Sequence, residues 1–377
     1  MYMKANLENT WYNVHDENKI ITPGLLISPD KIKDNIKAMI QISGTADRLW
    51  PHIKTYKMKP VIELQKDYGI NRFKCATLGE VELLCKAKVS HILLAIQPTE
   101  KKLDAFLTLQ KKYPKIQFST LLDNNKSLSL FNRIAKQKKQ TLRVWIDLNI
   151  GMNRTGIIPK KNGFKLYRNI KESQLIRFIG LHAYDGHIRS ESKIKRKKDS
   201  DNAFLSVLYL KEKIENHNKK SIDIIAGGSL TFLPHSERKN VILSPGTTLL
   251  WDVISDKLWP ESPFQIAAVI ATRIISKPNK DILCLDLGHK AIAPEMSLPR
   301  AILIGLEEAE HIGQSEEHLV IKTKEALKYD VGDMIYALPK HICPTVVKYN
   351  QSQLIKNQKL IGYWDIQARN YNYMPTL

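Results

Sequence analysis

Cysteine is scarce in this chain. Among 377 residues there are four, Cys75, Cys85, Cys284 and Cys343, too widely spaced for a disulfide framework. That usage points to a reducing compartment, and a cytoplasmic protein is expected. Long apolar runs are also missing, since none approaches the ~20 residues that a membrane-spanning helix needs. The opening segment, MYMKANLENTWYNVHDENK, holds no apolar stretch of the kind that begins a secretory signal. No membrane partner is expected. Acidic residues are in short supply: 38 Asp and Glu face 58 Lys and Arg, a net charge of +20. Such a balance can attract nucleic acid, an anionic surface or anionic small molecules. The densest basic run, Lys193, Lys195, Arg196, Lys197 and Lys198, has no aromatic residues within it and no zinc-finger or RNP-like pattern. It reads as a solvated, lysine-rich surface, and no nucleic-acid partner is expected. Internal repeats and low-complexity segments are absent.

What is present is an ordinary globular balance, 43% hydrophobic and 25% charged residues. The length suits two domains of ~150 residues or more, or one barrel of ~250 residues with a smaller unit. Short apolar runs predict strands at Leu25–Ser28, Leu49–Lys54, Phe73–Thr77, Ile92–Ile96, Gln117–Asp123, Arg143–Leu148, Ile179–Tyr184, Ile222–Ala226 and Val241–Leu243. Amphipathic stretches lie between them, at Pro29–Ile42, Glu80–Ala87 and Lys101–Lys112, and Asp123-Asn124-Asn125 has the character of a helix N-cap. This alternation predicts a parallel sheet, and about eight units of ~20–30 residues favour a closed (β/α)8 TIM-type barrel, with one strand run surplus. After Trp251 the runs Phe264–Ile274, Ile282–Asp286, Leu319–Lys322 and Met334–Ala337 come with turn signals and few long helices, which predicts a β-rich second domain. The expected division is a barrel over 22–255 and a β-rich domain over 256–377, with 1–21 packing on either.

Barrels carry their functional groups at the C-terminal ends of strands. Lys54 closes a strand candidate, and a desolvated lysine there becomes a usable amine nucleophile. Asp147–Gly156 ends a strand in a polar loop whose Arg154 suits a phenolate or a carboxylate. Tyr184-Asp185-Gly186-His187 places a tyrosine and a titratable histidine at another strand end, and His187 is a candidate acid or base. The segments Ile225–Ser229 and Ser244–Thr247 follow late strands, and backbone N–H groups at their glycines can hold a phosphate. In Pro339–Thr345, an extended backbone would turn His341 and Cys343 to one side, where they can share a metal such as zinc. Against each stands a plainer reading: surface lysines, an ordinary loop, a simple turn, a structural histidine beside a buried cysteine.

In order, the chain shows a Pro51-His52-Ile53-Lys54-Thr55-Tyr56-Lys57 segment, ATLGE at Ala76–Glu80, GMNRTG, YDGH, GGS, SPGT, SEEH at Ser315–His318, and HxCPT from His341 to Thr345. This series, from about Thr22 to Arg369, resembles the D-threonine aldolase and D-serine dehydratase family, fold-type III enzymes of the alanine-racemase kind that use pyridoxal 5'-phosphate (PLP). The resemblance implies a PLP-binding barrel followed by a β domain. It implies that Lys54 carries the cofactor, that Arg154 faces its 3-oxygen, and that Tyr184 lines the ring. Gly227, Gly228, Ser229, Gly246 and Thr247 would surround the phosphate, and His341 and Cys343 would hold a divalent metal, zinc or manganese. A homodimer is also implied. Two positions depart from the pattern. Relatives often carry Arg where Ser244 stands, and aldolases often carry an acidic ligand where Cys343 stands, whereas eukaryotic dehydratases have cysteine.

The expected activity is that of a lyase acting on small D-3-hydroxy amino acids. Retro-aldol cleavage would give glycine and an aldehyde, with His187 as the base. The alternative is elimination to a 2-oxo acid and ammonia, with Lys54 removing the α-proton. A protein that binds PLP without catalysis is a further alternative, against which the long β domain and its HxC pair argue.

Overall fold

The computed structural model describes residues 11–370. Two compact units emerge. One holds the described residues through Ala38 together with Thr55–Val61 and Thr247–Arg369; the other holds Met39–Lys54 and Ile62–Gly246.

The first strand, β1 (Gly24–Ile27), belongs to the β-rich unit. The second unit is built on seven strands: β2 (Arg72–Cys75), β3 (His91–Leu94), β4 (Gln117–Leu122), β5 (Leu142–Leu148), β6 (Ile176–Ala183), β7 (Asp223–Ala226) and β8 (Val241–Leu243). They lie side by side in chain order and every pairing is parallel. The eighth position is filled by Leu49–His52. Leu49 bridges to Leu243 on β8 and His52 to Lys74 on β2, both in parallel. The bonds Trp50 N–H to Leu243 O (2.8 Å), His52 N–H to Pro245 O (2.8 Å) and Lys74 N–H to Pro51 O (2.9 Å) join the two edges. Pro51 has no N–H to give a ladder, but its carbonyl accepts, so the short segment serves both neighbours. The barrel foreseen from the alternation of strands and helices is therefore present, and the surplus run is Leu25–Ser28, which pairs in the other sheet.

Local sequence explains the helices between these strands. Asn124 accepts from Ser127 N–H at 2.8 Å and starts Asn125–Lys138, as its side chain predicts. In ATLGE, Thr77 accepts from Glu80 N–H, and Glu80 reaches back to Ala76 N–H at 2.6 Å. That arrangement is a variant of the capping box, with the carboxylate accepting from the residue before the N-cap, and it opens Leu78–Lys86, so buried Glu80 has a structural task. The basic run opens the helix Lys193–Asn218. There Lys195 pairs with Asp199 and Lys197 with Asp201 one turn on, while Arg196 is buried and donates to Ser190 O at 2.8 Å.

The β-rich unit contains β9 (Ala268–Asn279), β10 (Ile282–Leu285), β11 (Ala301–Leu303), β12 (Glu310–Gln314), β13 (Leu319–Lys322), β14 (Met334–Pro339), β15 (Gln351–Lys356) and β16 (Lys359–Asp365). With β1 they make a nine-stranded sheet in the order β12-β13-β10-β9-β1-β15-β16, with β14 on β9 and β11 on β14. The pair β1–β15 is parallel and the others antiparallel. Its core gathers Ile270, Ile274, Leu283, Leu285, Leu303, Leu319, Ile321 and Ile335. Among the described residues, no helix is long and apolar enough to cross a membrane.

Candidate active site

Seven parallel strands in one barrel put all their C-terminal ends on one face, and the chemistry-bearing residues of this unit lie at or just beyond those ends. Lys54 follows the closing segment in a single 3-10 turn, Ile53–Thr55, rather than in the strand itself. Its N–H donates to His52 Nδ1 at 3.2 Å, which ties the turn to the barrel wall, and its side chain is exposed. The charge of Lys54 is felt by Lys74, a buried lysine of β2.

Lys74 is a residue that sequence reasoning missed. Its Nζ lies 2.9 Å from His182 Nε2 on β6, and His182 Nδ1 lies 2.6 Å from Asp147 Oδ1 on β5. Asp147 Oδ2 accepts from Gln97 at 2.8 Å, and the same amide donates to Asp123 at 2.9 Å. Burial brings the Lys74 ammonium down to about 7; Lys54 and Arg154 push the same way, against Asp147 and Asp185. His182 is also lowered, by burial and then by Lys74. For Asp147, burial is the largest influence and works against ionisation, but the bond and charge of His182, with bonds from Thr155 and Gln97, together outweigh it and keep the carboxyl below its ordinary range.

Arg154 sits on the loop after β5 with its guanidinium 4.9 Å from the centre of the Tyr184 ring, and Lys74 Nζ is 5.7 Å from the same centre. Arg154, Tyr184, Lys74 and Lys54 thus form one cluster. His187 is exposed three residues beyond Tyr184 and stands against Gly151 of the GMNRTG loop, where an added Cβ would meet Nε2 at 2.6 Å.

The two glycine-bearing loops come together as their late-strand positions suggested. Gly246 N–H donates to Ser229 Oγ at 3.2 Å. Gly227 has φ +81°, a left-handed conformation that side chains resist, and its N–H donates to Ala183 O at 3.1 Å. Gly228 N–H donates to Thr231 Oγ1 at 3.1 Å, and a Cβ on Gly228 would stand 3.0 Å from Tyr184 Cε2. The N–H groups of all three glycines thus have partners within the protein, so these residues offer an anion close approach more than spare donors. Beneath them Asp185 accepts from Thr231 Oγ1 at 2.6 Å and pairs with His235 Nε2 at 2.8 Å. Burial is the largest influence on Asp185 and disfavours its charge, but the bond and charge of His235 and the bond from Thr231 together prevail and lower its pKa. A carboxylate held this way stabilises the fold above its unfolded range and loses that contribution as pH falls. Asp185→Ala is expected to cost about 3 kcal/mol in urea unfolding at pH 7, because it strands a buried histidine and hydroxyl; a cost below about 1 kcal/mol would contradict the role assigned to this anchor.

Lys74 gives the opposite sign. Its folded pKa lies below its unfolded one, so burial is a penalty that is full below pH 7 and fades as pH approaches 10. Lys74→Met is expected to unfold at higher denaturant than the native chain at pH 7, because the penalty on the buried charge exceeds the loss of the bond to His182. The gain should shrink toward pH 10. A variant less stable at pH 7 would refute this.

Ser244 is buried and its hydroxyl donates to Trp50 O at 3.0 Å, so it fastens β8 to the barrel-closing segment.

The other pair of interest lies in the β-rich unit. His341 and Cys343 do not share an extended strand. β14 ends at Pro339, His341 is the N-cap of a short helix, Ile342–Val346, and Cys343 lies in its first turn. The two side chains nevertheless meet through a hydrogen bond. Pro344 explains the change: proline is favoured in a first helical turn, where its missing N–H is not needed. His341 Nδ1 is 2.7 Å from Glu295 Oε1. Burial opposes a charge on His341, but Cys343 and Glu295 outweigh it and lift the pKa to about 9. Cys343 Sγ is 3.1 Å from Thr55 Oγ1 and 3.6 Å from Thr247 Oγ1. Thr247, expected at a phosphate, thus has its hydroxyl against this sulfur. Buried Asp252 accepts from Ile342 N–H at 3.1 Å and fixes the turn. Among the described residues no group of three or more His, Cys, Asp or Glu is arranged to hold a metal. SEEH forms an exposed turn between β12 and β13, with Ser315 N–H donating to His318 O.

Comparison with known proteins now bears on this geometry. The family model described as "Alanine racemase, N-terminal domain" matches residues 27–249, and the one described as "Putative serine dehydratase domain" matches residues 267–355. The chain is 23% identical to 3-hydroxy-D-aspartate aldolase of Paracoccus denitrificans (strain Pd 1222), over 95% of this chain and 94% of the relative. It is 21% identical to D-threonine aldolase of an Arthrobacter species, over 94% of each. The solved structure of D-threonine aldolase from Filomicrobium marinum superposes with a TM-score of 0.85 at 21% identity, covering 94% of this chain and 97% of that one.

Proposed function

The chain belongs to the alanine racemase N-terminal domain family, and from that premise we propose that it is a PLP- and divalent-metal-dependent lyase that cleaves D-3-hydroxy amino acids to glycine and an aldehyde. The observation that carries this reading is the cationic cluster at the C-terminal end of the barrel. Around Lys74 lie the charges of Lys54 and Arg154 and those of the two carboxylates Asp147 and Asp185, each already paired with a histidine. Such a cluster suits an anionic, amine-reactive ligand, and PLP is one. The residues present fit the cofactor: an accessible amine at Lys54, a guanidinium over an aromatic ring at Arg154 and Tyr184, and a loop that glycine lets approach that ring.

When bound, PLP withdraws electrons from the substrate's α-carbon. Around it, Lys54 would hold the cofactor through its amine, and Arg154 would face the 3-oxygen. Tyr184 would line the ring, and Gly227, Gly228, Ser229, Gly246 and Thr247 would make room for the phosphate. His187 takes the proton of the β-hydroxyl as the Cα–Cβ bond breaks. His341 and Cys343 are an imidazole and a sulfur in contact, a donor set that suits zinc better than manganese. Such an ion would supply Lewis-acid polarisation of the β-hydroxyl. A homodimer in the cytoplasm, with a small D-amino acid as substrate, completes the proposal.

A second reading is elimination to a 2-oxo acid and ammonia, in which Lys54 removes the α-proton. Cys343 favours it, as does the dehydratase-domain match over the segment that carries His341 and Cys343. Incubation of the PLP-loaded protein with D-threonine and a divalent metal separates the two. Glycine and acetaldehyde are expected; 2-oxobutanoate and ammonia without glycine would replace cleavage by elimination.

A further inference from the structure

A lysine buried inside a barrel, bonded to a histidine that a carboxylate holds in turn, is costly to keep and has no place in the reaction as described above. Resting on the reading of Lys54 as the cofactor's attachment point, we propose that Lys74 is a positioning residue of the cofactor site, whose charge state sets the electrostatic field at the cofactor bound to Lys54.

The geometry supports this in three ways. First, Lys74, Asp147 and His182 lie on three different strands, β2, β5 and β6, and each is the last or next-to-last residue of its strand. They occupy the end of the barrel from which Lys54 and the Arg154 and Tyr184 loops emerge. Second, the amine is held. His182 Nε2 is 2.9 Å from it, and Asp147 fixes the imidazole from behind at 2.6 Å. Third, the groups around Lys74 would answer to its charge. From the closing segment there is Lys54, with His52 bridged to Lys74 through the backbone. From β5 and its loop come Asp147 and Arg154, and from β6 and its extension come His182, Tyr184 and Asp185. Two cations and two carboxylates thus contend over one buried amine. Gain or loss of a single proton on Lys74 shifts the balance felt at Lys54 by one full charge. A purely structural cross-link would need no ionisable amine at this place.

The bound cofactor reports its own surroundings through visible absorption, so the test does not depend on turnover. The PLP-loaded native chain, Lys74→Met and Lys74→Arg would be scanned from pH 5.5 to 9.5, with far-ultraviolet circular dichroism to show that each is folded. In the native chain a spectral transition is expected with a midpoint between about pH 6 and 8, the range in which a buried lysine beside other cations titrates. Lys74→Met should lack that transition and hold the native high-pH spectrum throughout. Lys74→Arg, charged at every pH, should hold the native low-pH spectrum. Opposite end states for two variants at one site are not what loss of packing produces. Should Lys74→Met fail to fold, the arginine variant decides alone, since a retained native transition overturns the proposal. A methionine variant that titrates with the native midpoint overturns it too, as does a native chain whose bound PLP shows no transition. A native chain that takes up no PLP fails at the earlier step, before any titration, and removes the reading on which this inference rests.

Discussion

Lys54→Ala is expected to lose lyase activity by about 10⁴-fold or more while remaining folded, because it removes the amine that anchors the cofactor. The side chain is exposed on a one-turn 3-10 helix, and the turn is held by the backbone bond to His52. Its truncation should therefore shift stability by no more than about 0.5 kcal/mol. Loss of activity without loss of stability is the signature of a chemical rather than an architectural residue. The Lys74→Met variant makes the useful contrast, since it should gain stability at neutral pH and keep the anchoring amine. If Lys54→Ala turned over D-threonine at a rate near that of the native protein, the attachment point would have to be sought elsewhere. Lys74 would be the first alternative.

Removal of the divalent metal, by dialysis against a chelator, is expected to lower the rate by about 10³-fold, with recovery on adding zinc or manganese; a Lewis acid on a hydroxyl contributes several kcal/mol of transition-state stabilisation. His341→Ala and Cys343→Ala should reproduce the loss and abolish the recovery, while leaving the absorbance of bound PLP in place. The pH dependence has a definite sign. In the metal-free protein His341 keeps its proton up to about pH 9, through its contacts with Cys343 and Glu295. A metal must displace that proton, so metal affinity should rise steadily from pH 6.5 to 9. Glu295→Gln, which takes away one of the charges holding the proton, should flatten that rise. Full activity in protein shown to be free of metal would end the role assigned to His341 and Cys343.

Much of the fold could be read from the chain because parallel barrel strands are short, nearly continuous apolar runs, and every run between Phe73 and Leu243 became one. The strands that escaped notice have a physical excuse. Lys359–Asp365 alternates half-buried with exposed residues, and Glu310–Gln314 buries none fully, so neither carries an apolar run; Ala301–Leu303 is only three residues long, and in Gln351–Lys356 the buried residues include Ser352 and Gln353, which break the apolar signal. Leu25–Ser28 was recognisable as a strand but not as a member of the other sheet, since pairing with β9 and β15 is a long-range matter. At the site, loop residues were legible because glycine, arginine and tyrosine after a strand stand out. Lys74, Asp147 and His182 did not, because each is a single polar residue within an apolar run. The signal lay in the strand period: in Phe73-Lys74-Cys75 and in Leu181-His182-Ala183 all three residues are buried, so the polar one must have a partner. Which partner it has follows only from the closing of the barrel. For His341 and Cys343 the period misled, since Pro344 turns the chain into a helix and still leaves the two groups touching.

The central claim is that one amine in this barrel binds PLP. The measurement that addresses it most directly is reduction of the PLP-loaded protein with borohydride, followed by peptide mass mapping. A single pyridoxyl group on the peptide that contains Lys54 is the predicted result. An unmodified chain, or a modification carried by Lys74 or any other lysine, would contradict it.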